Sequence, residues 1–407
     1  MRRVVVTGMS SITALGSDWQ SFEQNLRNKQ NAIRYMEAWD VYEDMVTRLG
    51  GPILDFSKPA HYPRKKVRSM GRVALMATVA AENALTDAGL LDDPLVISGD
   101  MGIACGSSSG CTSAFREFGA MLINERADGL NANSYIKMMA HSAPVNIGVF
   151  FGMKGRVYTT SSACTSGSQG IGYAYEAIKF GQQTAMVAGG SEGLCATQAA
   201  VFDTLYATST RNDEPMLSPR PYDKDRDGLV IGEGAGIFIL EELEHAKARG
   251  ARIYAEIVGY GTNSDGAHVT SPEADTMQRA MELSLQCAQL PAAEIGYVNG
   301  HGTATEQGDI AETIATSRVF GSAIPLSSTK SYLGHTLGGC GAIEAWAAVN
   351  MMNNQWFHPN LNLDQLDERC GDLDYIVGDG KTIDTEFVMS NNFAFGGINT
   401  SLILKRW

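Results

Sequence analysis

Apolar positions along the chain fall into short runs closed by glycine, separated by longer stretches with helical spacing. Arg3 to Thr7 reads as a buried strand that turns at Gly8. Met101 to Gly106 reads as a second strand, followed by a small-residue turn from Ser107 to Gly110. Between them, Pro63 to Arg72 leads into a helix from about Val73 to Ala88, and Met138 to Phe151 is apolar and loop-like. Small residues crowd Ser161 to Gly172. Gly167, Ile171, Ala174 and Ile178 then recur at three- or four-residue steps, which is one face of a helix, with Gly181 as its stop. Ala185 to Gly189 reads as a buried strand, and the glycine-rich Gly228 to Gly236 precedes the apolar strand Ile237 to Leu240.

A charged stretch around His245 to Arg249 closes this half, and the pattern restarts. Ile253 to Gly261 is a strand, Glu273 to Leu290 a long helix, Ile295 to Asn299 a strand and Gly338 to Met352 a small-residue helix. Phe387 to Ser390 and Leu402 to Lys405 are strands. Both halves run strand, long helix, strand, small-residue helix, strands. The expectation is a duplicated α/β unit with halves at 1–250 and 251–407.

Length and composition agree with that reading. The chain has 407 residues, 44% of them hydrophobic, with 44 glycines, which suits a compact α/β enzyme. A net charge of −13 argues against general binding to nucleic acid or anionic membranes, so an acidic partner would need a local basic patch. The seven cysteines are scattered without a C-x-x-C pair, which fits a reducing compartment and neither a disulfide framework nor a zinc cluster. The start M-R-R-V-V-V-T-G is too short in apolar residues for a signal peptide, and no run approaches the roughly 20 residues of a membrane helix. A soluble cytoplasmic protein is expected.

Three positions carry candidate chemistry. Cys164 lies where a loop becomes a helix, close to the positive end of the macrodipole, a position that favours the nucleophilic thiolate. A buried, inert small hydrophobe is the competing reading. His301, in V-N-G-H-G-T-A-T, follows a strand, and His335, in S-T-K-S-Y-L-G-H, precedes the second small-residue helix. Both are flanked by glycine at points where scaffolds present functional side chains. Together with the cysteine they favour a Cys/His site over three separate structural residues. The run G-E-G-A-G at Gly232 to Gly236 is followed by a strand and not a helix. It is therefore assigned to tight backbone packing, not to a dinucleotide.

Five segments, T-T-S-S-A-C-T-S-G, Y-D-K-D-R-D-G-L-V-I-G-E-G-A-G, V-N-G-H-G-T-A-T, S-T-K-S-Y-L-G-H and S-N-N-F-A-F-G-G-I-N, closely resemble signatures of the β-ketoacyl-[acyl carrier protein] synthases of types I and II. The resemblance runs from Arg2 to Lys405 in the family's order. It implies a duplicated thiolase-like fold, layered α-β-α-β-α with buried central helices, and an acyltransferase that joins an acyl chain to a malonyl unit with loss of carbon dioxide. By the same resemblance Cys164 holds the chain, the backbone N–H groups of Cys164 and Phe395 form the oxyanion hole, and His301 and His335 hydrogen-bond the malonyl thioester. Lys330 is implied as a fixed charge near His301, Thr303 and Thr305 as contacts of the phosphopantetheine arm, and Phe393 and Phe395 as a gate. Lys65, Lys66 and Arg68 resemble the docking patch for an acidic acyl carrier protein, which the net charge of the chain makes necessary. No cofactor is required. The resemblance does imply a structural cation, monovalent or divalent, enclosed by Asn299, Glu312, Glu344, Ser390 and Asn391. The expected assembly is a homodimer, or a heterodimer with a related subunit.

The sequence departs from the family pattern in three places. The gate reads F-A-F-G-G where the family commonly has F-G-F-G-G, so Ala394 predicts a stiffer hinge. G-S-S-S-G-C puts Ser109 at an acyl-pocket position, smaller and more polar than the isoleucine common there. Ser134 to Met138 is unusual beside the apolar interface loop of the family. These changes leave a polyene or type II polyketide pathway open beside fatty acid synthesis. A catalytically silent chain-length factor of the same fold normally lacks the cysteine, and Cys164 argues against that role.

Overall fold

The computed structural model describes residues 1–407. The principal elements of the first half are β1 (Val4–Ile12), α1 (Arg64–Val67), α2 (Arg72–Asp87), β2 (Met101–Gly106), α3 (Thr112–Asn124), α4 (Ala132–Met138), α5 (Ser142–Phe151), β3 (Val157–Thr159), α6 (Ser166–Lys179), β4 (Ala185–Glu192), α7 (Ala196–Asp203) and β5 (Gly234–Glu242). Those of the second are β6 (Ala255–Ser264), α8 (Ala274–Ala288), β7 (Ile295–Asn299), α9 (Glu306–Phe320), β8 (Pro325–Ser327), α10 (Cys340–Asn354), β9 (Asp374–Tyr375), β10 (Phe387–Ala394) and β11 (Ile398–Arg406).

The duplication is visible in the strand order. One sheet of 11 strands runs β9-β8-β7-β10-β11-β6-β1-β5-β4-β2-β3. Counting outward from the central β6–β1 junction, each half places its first strand innermost, then its last, its last but one, its second and its third, and the second half adds β9 at its edge. The senses match as well: two antiparallel junctions (β1–β5 and β5–β4; β6–β11 and β11–β10), then two parallel ones. The halves meet where Val4 to Val6 pair with Ala255 to Ile257.

Helices complete the layers. α2 and α5 cover the outer face of the first half, and α8, backed by α9, covers that of the second. Between the halves lie α6 and α10, packed on each other and on strands of both halves. Both central helices are buried nearly throughout, α6 by eleven residues from Ser166 to Ile178 and α10 by twelve from Cys340 to Met352. A helix buried on all sides cannot carry large side chains where it meets another backbone, and this is where the glycines fall. A Cβ on Gly167 would lie 2.9 Å from the Ala342 nitrogen, and one on Gly341 would lie 2.7 Å from the Ser168 nitrogen. Gly236 of the G-E-G-A-G run sits under the same crossing, where a Cβ would meet the Ala342 carbonyl carbon at 2.6 Å. Those glycines do serve backbone packing.

Two readings of the sequence need correction. β1 does not turn at Gly8 but continues to Ile12 through a register shift between Val6 and Gly8. Gly8 is needed because α2 crosses it, with Ala84 O only 2.3 Å from where a Cβ would stand. Met138 to Phe151 is not a loop: it contains α5, whose apolar residues face both α2 and β2 and so show no single stripe. No helix is long and apolar enough to cross a membrane.

The crossing makes a stability prediction. Gly341→Val should lose about 3 kcal/mol by overpacking α6 against α10. Gly119→Ala, in mid-α3 with nothing within 4 Å of the added Cβ, should gain roughly 0.5–1 kcal/mol. Urea unfolding midpoints of the two variants measure both; a tolerated Gly341→Val would contradict the crossing as described.

Candidate active site

Cys164 lies in a single 3₁₀ turn, Ala163–Thr165, that feeds directly into α6. Ala163 takes the left-handed φ of 50° that swings the turn under the helix start. Cys164 is buried (4% exposed), and the backbone N–H groups of Phe395 and of Cys164 itself are directed at its sulfur. Directly behind it, Cys340 begins α10 and donates its S–H to the Cys164 carbonyl at 3.2 Å. The two small-residue helices thus start face to face, as equivalent stations of the two halves.

His301 follows β7, and His335 sits before α10, so both rings arrive from the second half. The Cys164 sulfur and one ring nitrogen of each histidine lie within 4.8 Å of one another. The rings meet edge to face at 5.1 Å. Lys330 Nζ donates to His301 Nδ1 at 3.1 Å, and the Leu337 N–H donates to His335 Nδ1 at 3.2 Å. With Nδ1 an acceptor in both rings, each neutral imidazole carries its hydrogen on Nε2. His335 Nε2 is buried without a partner. Burial, reinforced by the Lys330 charge, holds both histidines well below the ordinary histidine range, so both are neutral donors.

Lys330 is itself buried, and its ammonium contacts Glu344 Oε1. Burial acts to lower its pKa, but Glu344 outweighs that and keeps it protonated. Asn392 Nδ2 donates to Glu344 Oε2 at 2.7 Å and lies 3.5 Å from His301 Nδ1. On the other side, Glu312 accepts the backbone N–H groups of His301 (2.5 Å) and Gly302 (2.7 Å), which fixes the loop that carries the ring.

A cavity of about 440 Å³ leads from Cys164, His301 and His335 to the surface. Phe393 and Phe395 both line it. The Phe393 ring stands edge-on to His301 at 6.2 Å, and Phe395 stacks on Phe202 at 4.8 Å. Thr303 and Thr305 line its outer part with their hydroxyls 2.9 Å apart. Ala394 is not among the residues with positive φ and closes β10 as an ordinary strand residue.

One expectation is overturned here. Cys164 does not rest as a thiolate: burial pushes its thiol up to about 11, against the N–H of Phe395 and the Lys330 charge. Desolvation outweighs the helix end, a balance that depends on how deeply the turn is packed. Ser109 is not among the residues lining this cavity; its hydroxyl accepts from Gln198 Nε2 at 3.2 Å.

The remaining predicted residues lie apart from the reacting centre. Lys65 and Lys66 of α1, and Arg68 just after it, are exposed, with Lys66 donating to the Phe150 carbonyl at 3.0 Å. Asn299 and Ser390 are register partners on β7 and β10, with Asn391 next along. Glu344 is committed to Lys330 and Asn392, whereas Ser390 Oγ and both polar atoms of Asn391 are buried without partners. Residues that sequence reasoning passed over are Asn392, Cys340 and Phe202. The first two stand inside segments already singled out, Asn392 one position from assigned residues. Phe202 carries no signal beyond being apolar. Glu192 was also passed over; it accepts from Ser107, the Ser108 N–H and the Gly338 N–H, tying the two halves beneath the site.

Comparison with known proteins agrees with this geometry. Residues 1–246 match the family model for the beta-ketoacyl synthase N-terminal domain, and residues 254–364 match that for its C-terminal domain. The chain is 37% identical over 412 residues to 3-oxoacyl-[acyl-carrier-protein] synthase 2 of Synechocystis sp., covering 100% of this chain and 98% of the relative. A crystal structure of a beta-ketoacyl synthase from Burkholderia phymatum STM815 superposes with a TM-score of 0.99 at 57% identity, with 100% of both chains covered. The AntDE:AntF structure, a type II PKS acyl-carrier protein in complex with its ketosynthase bound to the hexaketide, superposes at 0.88 with 30% identity, covering 100% and 99% of the two chains.

The resting thiol has a measurable consequence. Iodoacetamide alkylation of Cys164, followed by peptide mass spectrometry, should keep accelerating from pH 7 to pH 9.5, because the thiolate fraction grows throughout when the pKa is about 11. A rate that levels off below pH 8 would show a thiolate at rest.

Proposed function

The chain belongs to the beta-ketoacyl synthase family, and we propose that it extends a carrier-bound acyl chain by decarboxylative Claisen condensation, with Cys164 holding the chain. The observation that carries this is the meeting of the Cys164 sulfur with two neutral imidazoles that can only donate from Nε2.

In the first step the Cys164 sulfur attacks the acyl thioester carbon. Its proton leaves on the departing sulfur of the carrier's arm, since neither histidine has a free lone pair to take it. The N–H groups of Cys164 and Phe395 hold the tetrahedral oxygen. In the second step a malonyl thioester loses carbon dioxide, and the negative charge that moves onto its thioester oxygen is met by Nε2–H of His301 and His335. The enolate carbon then attacks the acyl carbon and Cys164 leaves as thiolate, to be reprotonated. Lys330 occupies His301 Nδ1, so His301 remains a donor and is a positioned electrophile, not a base. Thr303 and Thr305 would hold the pantetheine arm, with Phe393 and Phe395 gating the acyl side. Lys65, Lys66 and Arg68 would receive the acidic carrier. A silent chain-length-factor role is disfavoured by the complete Cys–His–His set.

Assembly and ion content are part of the same reading. β3 is an open sheet edge, and α3 and α4 expose Leu122, Ile123 and Tyr135, which suits a second copy of the chain or a related subunit. A structural cation at Asn299, Glu312, Glu344, Ser390 and Asn391 belongs to the same proposal, with Glu344 having to share its carboxylate with Lys330 and Asn392. Burial pushes Glu312 up to about 8 for want of a countercharge of its own, and Ser390 and Asn391 have polar atoms to spare. Such an ion would supply fixed positive charge behind the His301 loop. A second reading of the substrate, a polyene or polyketide chain, is favoured by the polar Ser109–Gln198 contact, in which Gln198 Oε1 is buried without a partner. The cytoplasm is the proposed location.

Incubation with acyl carrier protein thioesters should add the acyl mass to the wild type and none to Cys164→Ala in intact-protein mass spectrometry; acylation retained by the variant would sink the assignment. Run across saturated, unsaturated and aryl chains with malonyl carrier protein, the same incubation ranks the two substrate readings by product yield. Native mass spectrometry is expected to give a dimer that retains about one cation per chain after dialysis. A bare monomer would remove both proposals.

A further inference from the structure

A second cavity lies in the first half of the chain. Its volume is about 490 Å³, and it shares no lining residue with the cavity that leads to Cys164. The chain just after β1, residues 30–34, residues 52–57 and the exposed side of α2 enclose it. Its floor is apolar: Ile12 and Leu15 are buried, and Ile53 and Val79 are half-buried. Its rim carries Arg34, Gln30, Asn83 and Asp55, all exposed and none with a side-chain partner within the chain. Other arginines of this region, Arg27, Arg48 and Arg72, are paired with Glu23, Asp40 and Glu233. An open guanidinium above an apolar floor is therefore a local exception.

The walls of this cavity are bonded to the segment that carries His335. Arg34–Tyr35, Leu49–Gly51 and Ile231–Gly232 form a separate three-stranded sheet. Gly50 pairs with Arg34 on one side and Ile231 on the other, and Ile231 bridges to His335. The His335 N–H donates to the Val230 carbonyl at 2.7 Å, and the His335 carbonyl accepts the Gly232 N–H at 2.9 Å. Two more wall residues make similar ties. The Ala32 N–H donates to the Tyr332 carbonyl at 2.8 Å, and the Ile53 N–H donates to Glu233 Oε1 at 2.8 Å. The packing leaves no slack, since a Cβ on Gly51 or Gly232 would run into the Leu333 carbonyl.

We propose that this cavity binds an acyl chain with an anionic head group, and that its occupation displaces His335. The binding stands on the cavity alone; the effect on catalysis rests on the condensation reading above. A cavity of this size with an apolar floor and a few polar groups at its edge is the ordinary form of a small-molecule site. The planar fork of Arg34 matches a carboxylate or a phosphate, and the floor takes the tail. The amides of Gln30 and Asn83 offer further N–H donors to the head group. Asp55 opposes the same anion, which limits affinity and makes the site answer to an abundant ligand. A ligand wedged between Arg34 and the end of β1 presses on Ala32 and Ile53, and their bonds carry that displacement to the His335 segment. His335 acts on the malonyl thioester and not in the first acyl transfer, so the second step slows and the first does not.

The test titrates the full chain with decanoate and with decyl phosphate by calorimetry. It then follows two half-reactions separately: transfer of an acyl group to Cys164, and decarboxylation of malonyl carrier protein. At least one probe should bind the wild type, and the tighter one identifies the head group as carboxylate or phosphate. Arg34→Gln should weaken binding roughly tenfold, Val79→Trp should abolish it by filling the floor, and Asp55→Asn should tighten it. Saturating ligand should slow wild-type decarboxylation roughly tenfold and leave acylation within about twofold, while Arg34→Gln at the same concentration shows no response. Equal affinity in wild type and Arg34→Gln, or no binding of either probe to the wild type, overturns the site. Binding that leaves decarboxylation unchanged, or slows both half-reactions equally, overturns the link to His335. A ligand-free wild type that performs neither half-reaction would remove the condensation reading and leave the binding result standing.

Discussion

The backbone-to-backbone crossing of α6 and α10 is the constraint on which the rest of the molecule depends. Gly167 and Gly341 let two buried helices approach until one helix's backbone nitrogen stands less than 3 Å from where the other's Cβ would be, 2.9 Å at Gly167 and 2.7 Å at Gly341. Because both helices begin at that crossing, their first residues are forced together. Cys164 of one half touches Cys340 of the other, and His335 arrives on the turn just before α10. A larger residue at either glycine would separate a nucleophile from its electrophilic partners without altering any residue that reacts. The glycine-rich run before β5 belongs to the same arrangement, since Gly236 lies beneath the start of α10.

Around that junction the buried charges are arranged to keep histidine neutral and oriented. A buried ammonium is tolerated because Glu344 is within contact and Asn392 satisfies the second carboxylate oxygen. The ammonium then occupies the Nδ1 of His301, while a backbone N–H does the same for His335. A cysteine and two histidines at this spacing have the look of a zinc site. The hydrogen-bond partners argue otherwise, because a ligating Nε2 would need its hydrogen on Nδ1, where both rings already receive one. The identity of the second neighbours therefore decides the chemistry that the same three side chains perform.

Much of this was legible in the sequence, and the failures have physical causes. Strands with continuous apolar runs, such as Ile237 to Leu240 in β5, were readable because burial on both faces leaves no polar position. The duplicated order was readable because both halves repeat the same punctuation. α5 was missed because a helix packed on several sides loses its stripe, and Gly8 was misread because a glycine required by a crossing helix looks like one required by a turn. The thiolate expectation failed for a subtler reason. The helix start is local and visible in sequence, but the desolvation that opposes it comes from Phe202, Leu337 and Cys340, which only the fold assembles. Ser109 was correctly seen as polar and out of pattern, yet its partner Gln198 lies 89 residues away.

The glycine crossing also determines how the chain can be taken apart. In sequence the molecule divides readily at the short segment between β5 and β6, and each half has the full strand order of a unit that could stand alone. Each half, however, presents its central helix with stretches of bare backbone that only the other half can cover. Severed there, the two fragments would each expose a flat, sticky seam of glycine and alanine, and neither would retain a reaction centre, since one keeps the sulfur and the other both imidazoles. The chain is thus a duplicate whose copies have become obligate complements, and genetic separation or shuffling of its halves would have to preserve that seam before it preserved any catalytic residue.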